Sequence, residues 1–528
     1  MEEKSTSSET SLRKSTISTI IVMGSTFLSR LLGFVRIAVI GAIFGTSGSA
    51  DVLNAVFTIP NNLRKLLAEG AFSSAFIPVF SSALVKEPSG ENPGNIVRNI
   101  ISFQLVILVP LCLLSVVFAK PLMNHVFLEF RDPELLNLSI SLFRWFISYI
   151  LLISISSVLM GILNVHGKFF IPAFAPIFFS VAVITSILIL HRIMGVFSMA
   201  VGVLSGGLLQ IVFQLPLFRK LGYDFKPNFS FGNEYFKRII RQWIPVLATA
   251  SVFAVNQQIA VRFATGLTEG STSALQYALV FFQLPFGIFS VSLTTVLFPR
   301  MSRQAASGDI LGLRDTLQYG LRSLLVFLIP SSLFLIVLGK EIISVAMFRG
   351  EFTLEDTLLT SRVLFGYSLG LFSIGGFNFT QRFFYSLGEY RPTFYMALTV
   401  CVVDIILSIW LKETSLHVVG LALANTISFS LGFLLMIIIA RKRLGHIEGR
   451  KILNTAFKIF VSAIPSIIFI LGYLRITGDW WKSVSSIRSF SLLLGCGGGA
   501  ILILIAMYYV TGVEMIGKLL SRRSDNVK

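Results

Sequence analysis

Five arginines interrupt long apolar stretches of this chain: Arg30, Arg36, Arg64, Arg262 and Arg382. One arginine at the centre of a membrane helix costs about 2.5–3.5 kcal/mol, so five facing lipid would cost about 12–18 kcal/mol. That sum rivals the whole stability of an ordinary domain, so most of them must face water, a partner or a ligand. Three cluster early, in Ser29-Arg30-Leu31-Leu32-Gly33-Phe34-Val35-Arg36 and in Pro60-Asn61-Asn62-Leu63-Arg64-Lys65. A guanidinium fork meets phosphate oxygens two at a time, so several around one cavity predict a phosphate-bearing anion. Ser29 and Asn61, next to these arginines, belong to the same candidate site. Arg30 and Arg36 sit about 120° apart on an ideal helix, and a kink near Gly33 would turn both toward one cavity. The competing reading is structural. Lys65 and Glu69 have the i,i+4 spacing of an ordinary helix pair, and arginines near span ends snorkel.

Other chemistry is thin. Asp404 stands mid-span and would either pair with an arginine or bind a coupling cation; both remain open. The five histidines are scattered, with no metal-ligand spacing. Gly161 to Phe169 imitates a phosphate-binding loop, but has one residue too many and Phe169 where a hydroxyl must hold magnesium. No catalytic group, metal or cofactor is expected, and an enzyme is disfavoured.

The elements that must position these residues follow from composition. Hydrophobic residues make up 54% of the 528, charged residues only 13%, and mean hydropathy is +0.80. A soluble chain carries about twice that charge fraction. A spanning helix needs about 20 apolar residues, and about fourteen such spans are read between 17 and 511, an all-α polytopic membrane protein. The net charge of +18 would point to nucleic acid in a soluble protein; here no nucleic acid is expected, because the cations set topology. Loops and span ends on the two sides carry about 26 and 10 Lys and Arg, and the richer side stays cytoplasmic. Both termini are therefore expected inside. Cys112, Cys401 and Cys496 lie far apart in apolar runs and read as packing residues.

A weak internal repeat aligns Ser49–Pro60 with Ala274–Pro285 and Gly167–Pro172 with Gly388–Pro392. Six spans per copy give two parallel lobes related by a pseudo-two-fold axis, an arrangement that places a substrate near mid-membrane. The expected division is a polar cytoplasmic tail over 1–16, an N-lobe over 17–218, and a basic cytoplasmic linker over 219–238. A C-lobe over 239–440, a basic loop over 441–451, two added helices over 452–511 and a cytoplasmic tail over 512–528 complete it.

The segments Ser29–Arg36, Phe44-Gly45, Ala50-Asp51, Pro60-Asn61, Leu63-Arg64, Ala68–Ser73 and Ala75–Pro78 strongly resemble the MurJ/MviN family of lipid II flippases, within the MOP exporter superfamily. Ile171–Pro176 and Leu297–Arg300 continue the resemblance over essentially the whole chain. It implies two six-helix lobes in a V plus two extra helices, and export of an undecaprenyl-diphosphate-linked peptidoglycan precursor across the bacterial inner membrane. It implies a cationic cavity lined by Arg30, Arg36 and Arg64, functional or gating roles for Asp51 and Glu69 (with Gly33 as a conformational point), and a lipid-tail groove at 452–511. The chain departs from the family at Ile37, at Leu279-Val280 where Asp-Arg is usual, at Gln283 and near Asn378. Arg262 and Arg382 are the expected substitutes for the missing second-lobe cation. The expected mechanism is alternating access, driven by membrane potential, H+ or Na+. The expected partners are lipid II and membrane lipids, with the cell-wall synthesis machinery left open and a monomer as the working unit. The alternatives are a flippase for another polyprenyl-diphosphate glycan and a MATE-like multidrug exporter.

Overall fold

The computed structural model describes residues 24–25, 28–67, 71–86, 91–445, 448–484 and 486–513. Every regular element among them is helical. Eleven helices are long and apolar enough to cross a membrane, and a twelfth arises if Leu354–Ser368 and Leu371–Ser386, bent by 46° at their junction, form one broken span. These match the third to fourteenth expected spans one for one. Fourteen is not reached because of the first two. The first (17–44) lies partly outside the described residues. Of the second (52–83), the described residues give the helical stretches Gly48–Leu67 and Ala71–Lys86, and residues 68–70 between them lie outside the described residues. Side chains such as Leu113, Ile193 and Leu502 are 62%, 82% and 70% exposed, a surface that only lipid satisfies.

The chain divides into two compact units, residues 1–266 and 267–528. In the first, Phe170–Met194 lies against Phe197–Lys220. Gly202 and Gly206, one turn apart, permit that approach. A Cβ at Gly202 would come within 2.7 Å of the Val183 Cα, and one at Gly206 within 3.0 Å of the Phe179 Cα. Small residues at four-residue spacing are the usual means of bringing membrane helices into backbone contact. Glu234–Thr265 also belongs to this unit. Its backbone carbonyl at Ala254 accepts from Asn62 Nδ2 at 3.4 Å, and Gln257 Oε1 accepts from Lys65 Nζ at 3.2 Å. The polar loop before it is pinned where Arg98 donates twice to Asp224, at 2.6 and 2.7 Å.

In the second unit, Phe377, Phe379, Phe383 and Phe384 are fully buried along Leu371–Ser386. The last two long helices, Gly449–Thr477 and Ile487–Val510, pack on Ile310–Val337 through Leu325, Ile329, Ile459, Ala463, Leu504 and Tyr508. The buried Tyr508 hydroxyl donates to the Val326 carbonyl at 2.8 Å. All three cysteines are buried free thiols, in keeping with packing roles.

Candidate functional site

Residues 28–44 run as unbroken helix through Gly33. A Cβ on Gly33 would meet nothing within 4 Å, so packing does not demand glycine there. From this helix Arg36 reaches the helix Phe170–Met194, its guanidinium carbon 5.0 Å from the centroid of the Phe179 ring. The close approach at Gly206 fixes the backbone of Phe179. Arg36 is half-buried, and its Nε, among the described residues, has no hydrogen-bond partner. Arg64 and the Tyr149 hydroxyl lie within electrostatic range of it. A cation held by an aromatic face beside another cation, with a buried donor unmet, is arranged to accept an anion.

Arg64 stands in the last turn of Gly48–Leu67. Its Nε and Nη2 both donate to Asn61 Oδ1, at 3.1 and 3.0 Å, which orients the guanidinium. Arg30 is exposed and Ser29 half-buried on the same helix as Arg36. Asp51 is buried in the first turn of Gly48–Leu67, where the helix dipole favours a carboxylate. Glu69 lies outside the described residues.

The structure assembles Arg262 differently. Its Nε pairs with Glu129 Oε1 at 3.0 Å, and its Nη1 donates to the carbonyls of His125 and Val126 at 2.7 and 2.8 Å. Thr265 on the next turn accepts from the Glu129 backbone N–H at 2.9 Å. Arg262 thus ties the end of its helix to the segment around Leu122–Glu129 within the first unit. Arg382 is exposed in the second unit, with its guanidinium 5.6 Å from the Tyr385 centroid and 5.9 Å from that of Phe298. Leu279 and Val280 are half-buried and Gln283 is exposed, while Asn378 Nδ2 donates to its own helix at Ile374, 2.9 Å away.

Asp404 is buried on Tyr390–Lys412. Its carboxylate accepts from Asn425 Nδ2 at 3.0 Å and from Ser408 Oγ at 3.4 Å. Sequence reasoning missed three features: the Arg98–Asp224 pair, a buried Ser156–Gln210–Gln214 network in the first unit, and Glu341, a carboxylate only 1% exposed in the second. Only the two glutamines, polar at i,i+4 in an apolar span, left a visible signal.

A family model described as "Lipid II flippase MurJ" matches residues 40–491. The chain belongs to this family. It is 33% identical to the "Probable lipid II flippase MurJ" of Borreliella burgdorferi over 97% of this chain and 99% of that protein. It is 31% identical to the protein of the same description in Vibrio cholerae, over 79% and 81% of the two chains. A solved structure described as "Lipid II flippase MurJ, inward closed conformation" superposes with a TM-score of 0.77 at 27% identity, covering 95% of this chain and all of the other. An inward-facing MATE transporter of the MOP superfamily superposes at 0.63 with 15% identity over 81% of this chain, a likeness of fold alone. The lipid II flippase family thus accounts for the chain nearly end to end, including the segments that carry Arg64 and Asp404.

Proposed function

We propose that this chain translocates lipid II, the undecaprenyl-diphosphate-linked peptidoglycan precursor, from the inner to the outer leaflet of a bacterial inner membrane by alternating access. Membership of the lipid II flippase family across residues 40–491 carries this reading. The chemistry of the first unit supports it. Arg36, Arg64 and Arg30 supply cations for the diphosphate, and Asn61 holds Arg64 in place. The aromatic face of Phe179 holds the Arg36 guanidinium in place for the ligand. Binding is strongest to the planar, bidentate arrangement that arginine offers and lysine lacks. The step is transport, with no bond made or broken in the substrate. Arg382 is a further candidate cation for the substrate. Asp404, with Asn425 and Ser408, is the candidate group for coupling to H+ or Na+. Both termini face the cytoplasm, and the working unit is a monomer.

The test is complementation of a strain depleted of its lipid II flippase. The intact chain restores growth and lipid II export to the outer leaflet, and Arg36→Ala at matched membrane abundance does not. A chain that reaches the membrane, leaves growth unrestored and flips a different polyprenyl-diphosphate glycan would overturn the substrate assignment.

A further inference from the structure

The ring that holds Arg36 is itself held from two further helices. Tyr149, buried at the start of Tyr149–Val165, places its ring 5.3 Å from that of Phe179, tilted by 33°. Two adjacent glycines on Phe197–Lys220 seat the two rings. A Cβ at Gly206 would come within 3.1 Å of Phe179 Cδ2, and one at Gly207 within 3.1 Å of Tyr149 Cδ2. A side chain at either position would press on the ring beside it. Three helices thus converge on a guanidinium that a fourth helix carries. A ring fixes a guanidinium through its π face and leaves the N–H donors for a ligand, whereas a carboxylate would consume them. Arginine carries much rotamer freedom, and freedom already given up in the folded protein is not lost again on binding.

The internal repeat offers a comparison. Gly45 and Gly270 both take the left-handed backbone, with φ of 60° and 87°. The spacing between them also pairs Ser49 with Ala274 and, carried back along the helix, Arg36 with Val261. Gly167 and Gly388 match in the same way, with φ of 71° and 73°. Seven residues past the prolines that follow them, Pro172 and Pro392, stand Phe179 and Thr399. Where the second copy has lost the arginine it has also lost the ring, and Thr399 turns its hydroxyl back to the Tyr395 carbonyl at 2.9 Å. We propose that Tyr149 and the Gly206-Gly207 step are positioning residues of the substrate site. Acting through Phe179, they fix the Arg36 guanidinium where it meets the diphosphate, and so set substrate affinity without touching the substrate. The identity of the ligand rests on the flippase reading.

The experiment takes two readouts from the full chain in detergent. One is the Arg36 Nε–H resonance of ligand-free, 15N-arginine-labelled protein, assigned by its loss in Arg36→Lys; the other is affinity for undecaprenyl diphosphate by titration. The ring current of Phe179 should displace that resonance from the value of a solvated arginine. Tyr149→Leu should move it back toward that value and weaken affinity by about threefold to thirtyfold, the range of a cation–π contact. Tyr149→Phe, which keeps the ring, should retain most of both. In an Arg36→Ala background Tyr149→Leu should weaken affinity no further, since the two act as one unit. Phe218→Leu, in a separate buried cluster with Phe80 and Tyr223, should lower the thermal transition and leave both readouts unchanged. Should Tyr149→Leu not fold, Gly207→Ala, which presses on the Tyr149 ring, is read in its place with the same expected directions. A resonance unmoved by these changes would overturn the proposal. So would a loss of affinity as large in the Arg36→Ala background as in the unaltered chain. Displacement of the resonance as expected, in a chain that does not bind undecaprenyl diphosphate, would support the bracing of Arg36 and count against the flippase reading alone.

Discussion

Arg36 and Arg262 occupy the same unit and the same kind of apolar helix, yet they are treated in opposite ways. Arg262 has a carboxylate at 3.0 Å and two backbone carbonyls within 2.8 Å. Arg36 has an aromatic face, an unmet buried Nε and a neighbouring cation. A guanidinium whose donors are met by the protein is a fastener, and adding a ligand to it would require breaking bonds already made. One whose donors are left unmet holds its binding capacity for something else. The membrane cost that singles out both residues does not tell these roles apart; the partners do.

The largest effect expected from this contrast is on transport. Arg36→Ala and Arg64→Ala should each cripple complementation while membrane abundance and thermal unfolding stay near those of the unaltered chain. Each substitution removes a charge-assisted contact of about 1.5–3 kcal/mol to the ligand, or about tenfold to a hundredfold in affinity. Arg36→Lys should recover only part of the loss, since it keeps the charge without the fork. Full complementation by both alanine variants would break the comparison at its functional end.

Arg262→Ala should behave in reverse. It takes the guanidinium away from Glu129 and from two carbonyls, so the thermal transition should fall, by a free energy of about 1–3 kcal/mol. Arg262→Ala combined with Glu129→Ala should cost less than the two single changes added together, because both single changes remove the same ion pair. Adding Val280→Arg separates the roles further. It would restore a cation lost from a ligand site, but not an ion pair to Glu129. Recovery of transport by Val280→Arg, with stability unchanged throughout, would return Arg262 to the ligand.

How much of this was legible in the sequence depends on range. The third to fourteenth spans are long apolar runs bounded by polar turns, a signal contained within each segment, and all twelve reappear as helices or as one bent pair. The second expected span crosses residues 68–70, which lie outside the described residues; its first helix runs through Pro60, Asn61, Asn62, Arg64 and Lys65 to Leu67. Arg30, Arg36 and Arg64 were visible because an isolated charge in an apolar run is conspicuous alone. Their surroundings were not. Phe179 is one phenylalanine among 49, Glu129 stands 133 residues from Arg262, and Asp224 stands 126 from Arg98. Such pairings have no period to detect, so the sequence showed which residues carry charge but not which charges are already satisfied.

The smallest expected effect carries the contrast from arginines to carboxylates outside the spans. Asp224 receives two hydrogen bonds from Arg98, which hold its carboxyl down to about 2. Glu341 is almost fully buried, with neither carboxylate oxygen in a well-formed hydrogen bond among the described residues and the Lys340 ammonium 3.7 Å away. Burial raises its pKa, with Asp479 adding to the rise and Lys340 opposing it. The signs are opposite. A lowered carboxyl stabilises the fold above its ordinary pKa, and that contribution fades as pH falls toward 2. A raised carboxyl stabilises the fold below its ordinary pKa, and that contribution is lost as pH rises through the folded value. Asp224→Asn should therefore lower the thermal transition at neutral pH, with the deficit shrinking in acid. Glu341→Gln should raise it at neutral and alkaline pH, with the gain shrinking as pH falls. Lys340, Asp479, Lys482 and the Cys496 thiol also stand around Glu341 or the adjoining Trp481, so the profile is best read between pH 5 and 8, where lysine and thiol change little. If Glu341→Gln instead lowers the transition at every pH, the ionised carboxylate is a met group with a partner in the folded protein, and unmet polarity would no longer separate Glu341 from Asp224.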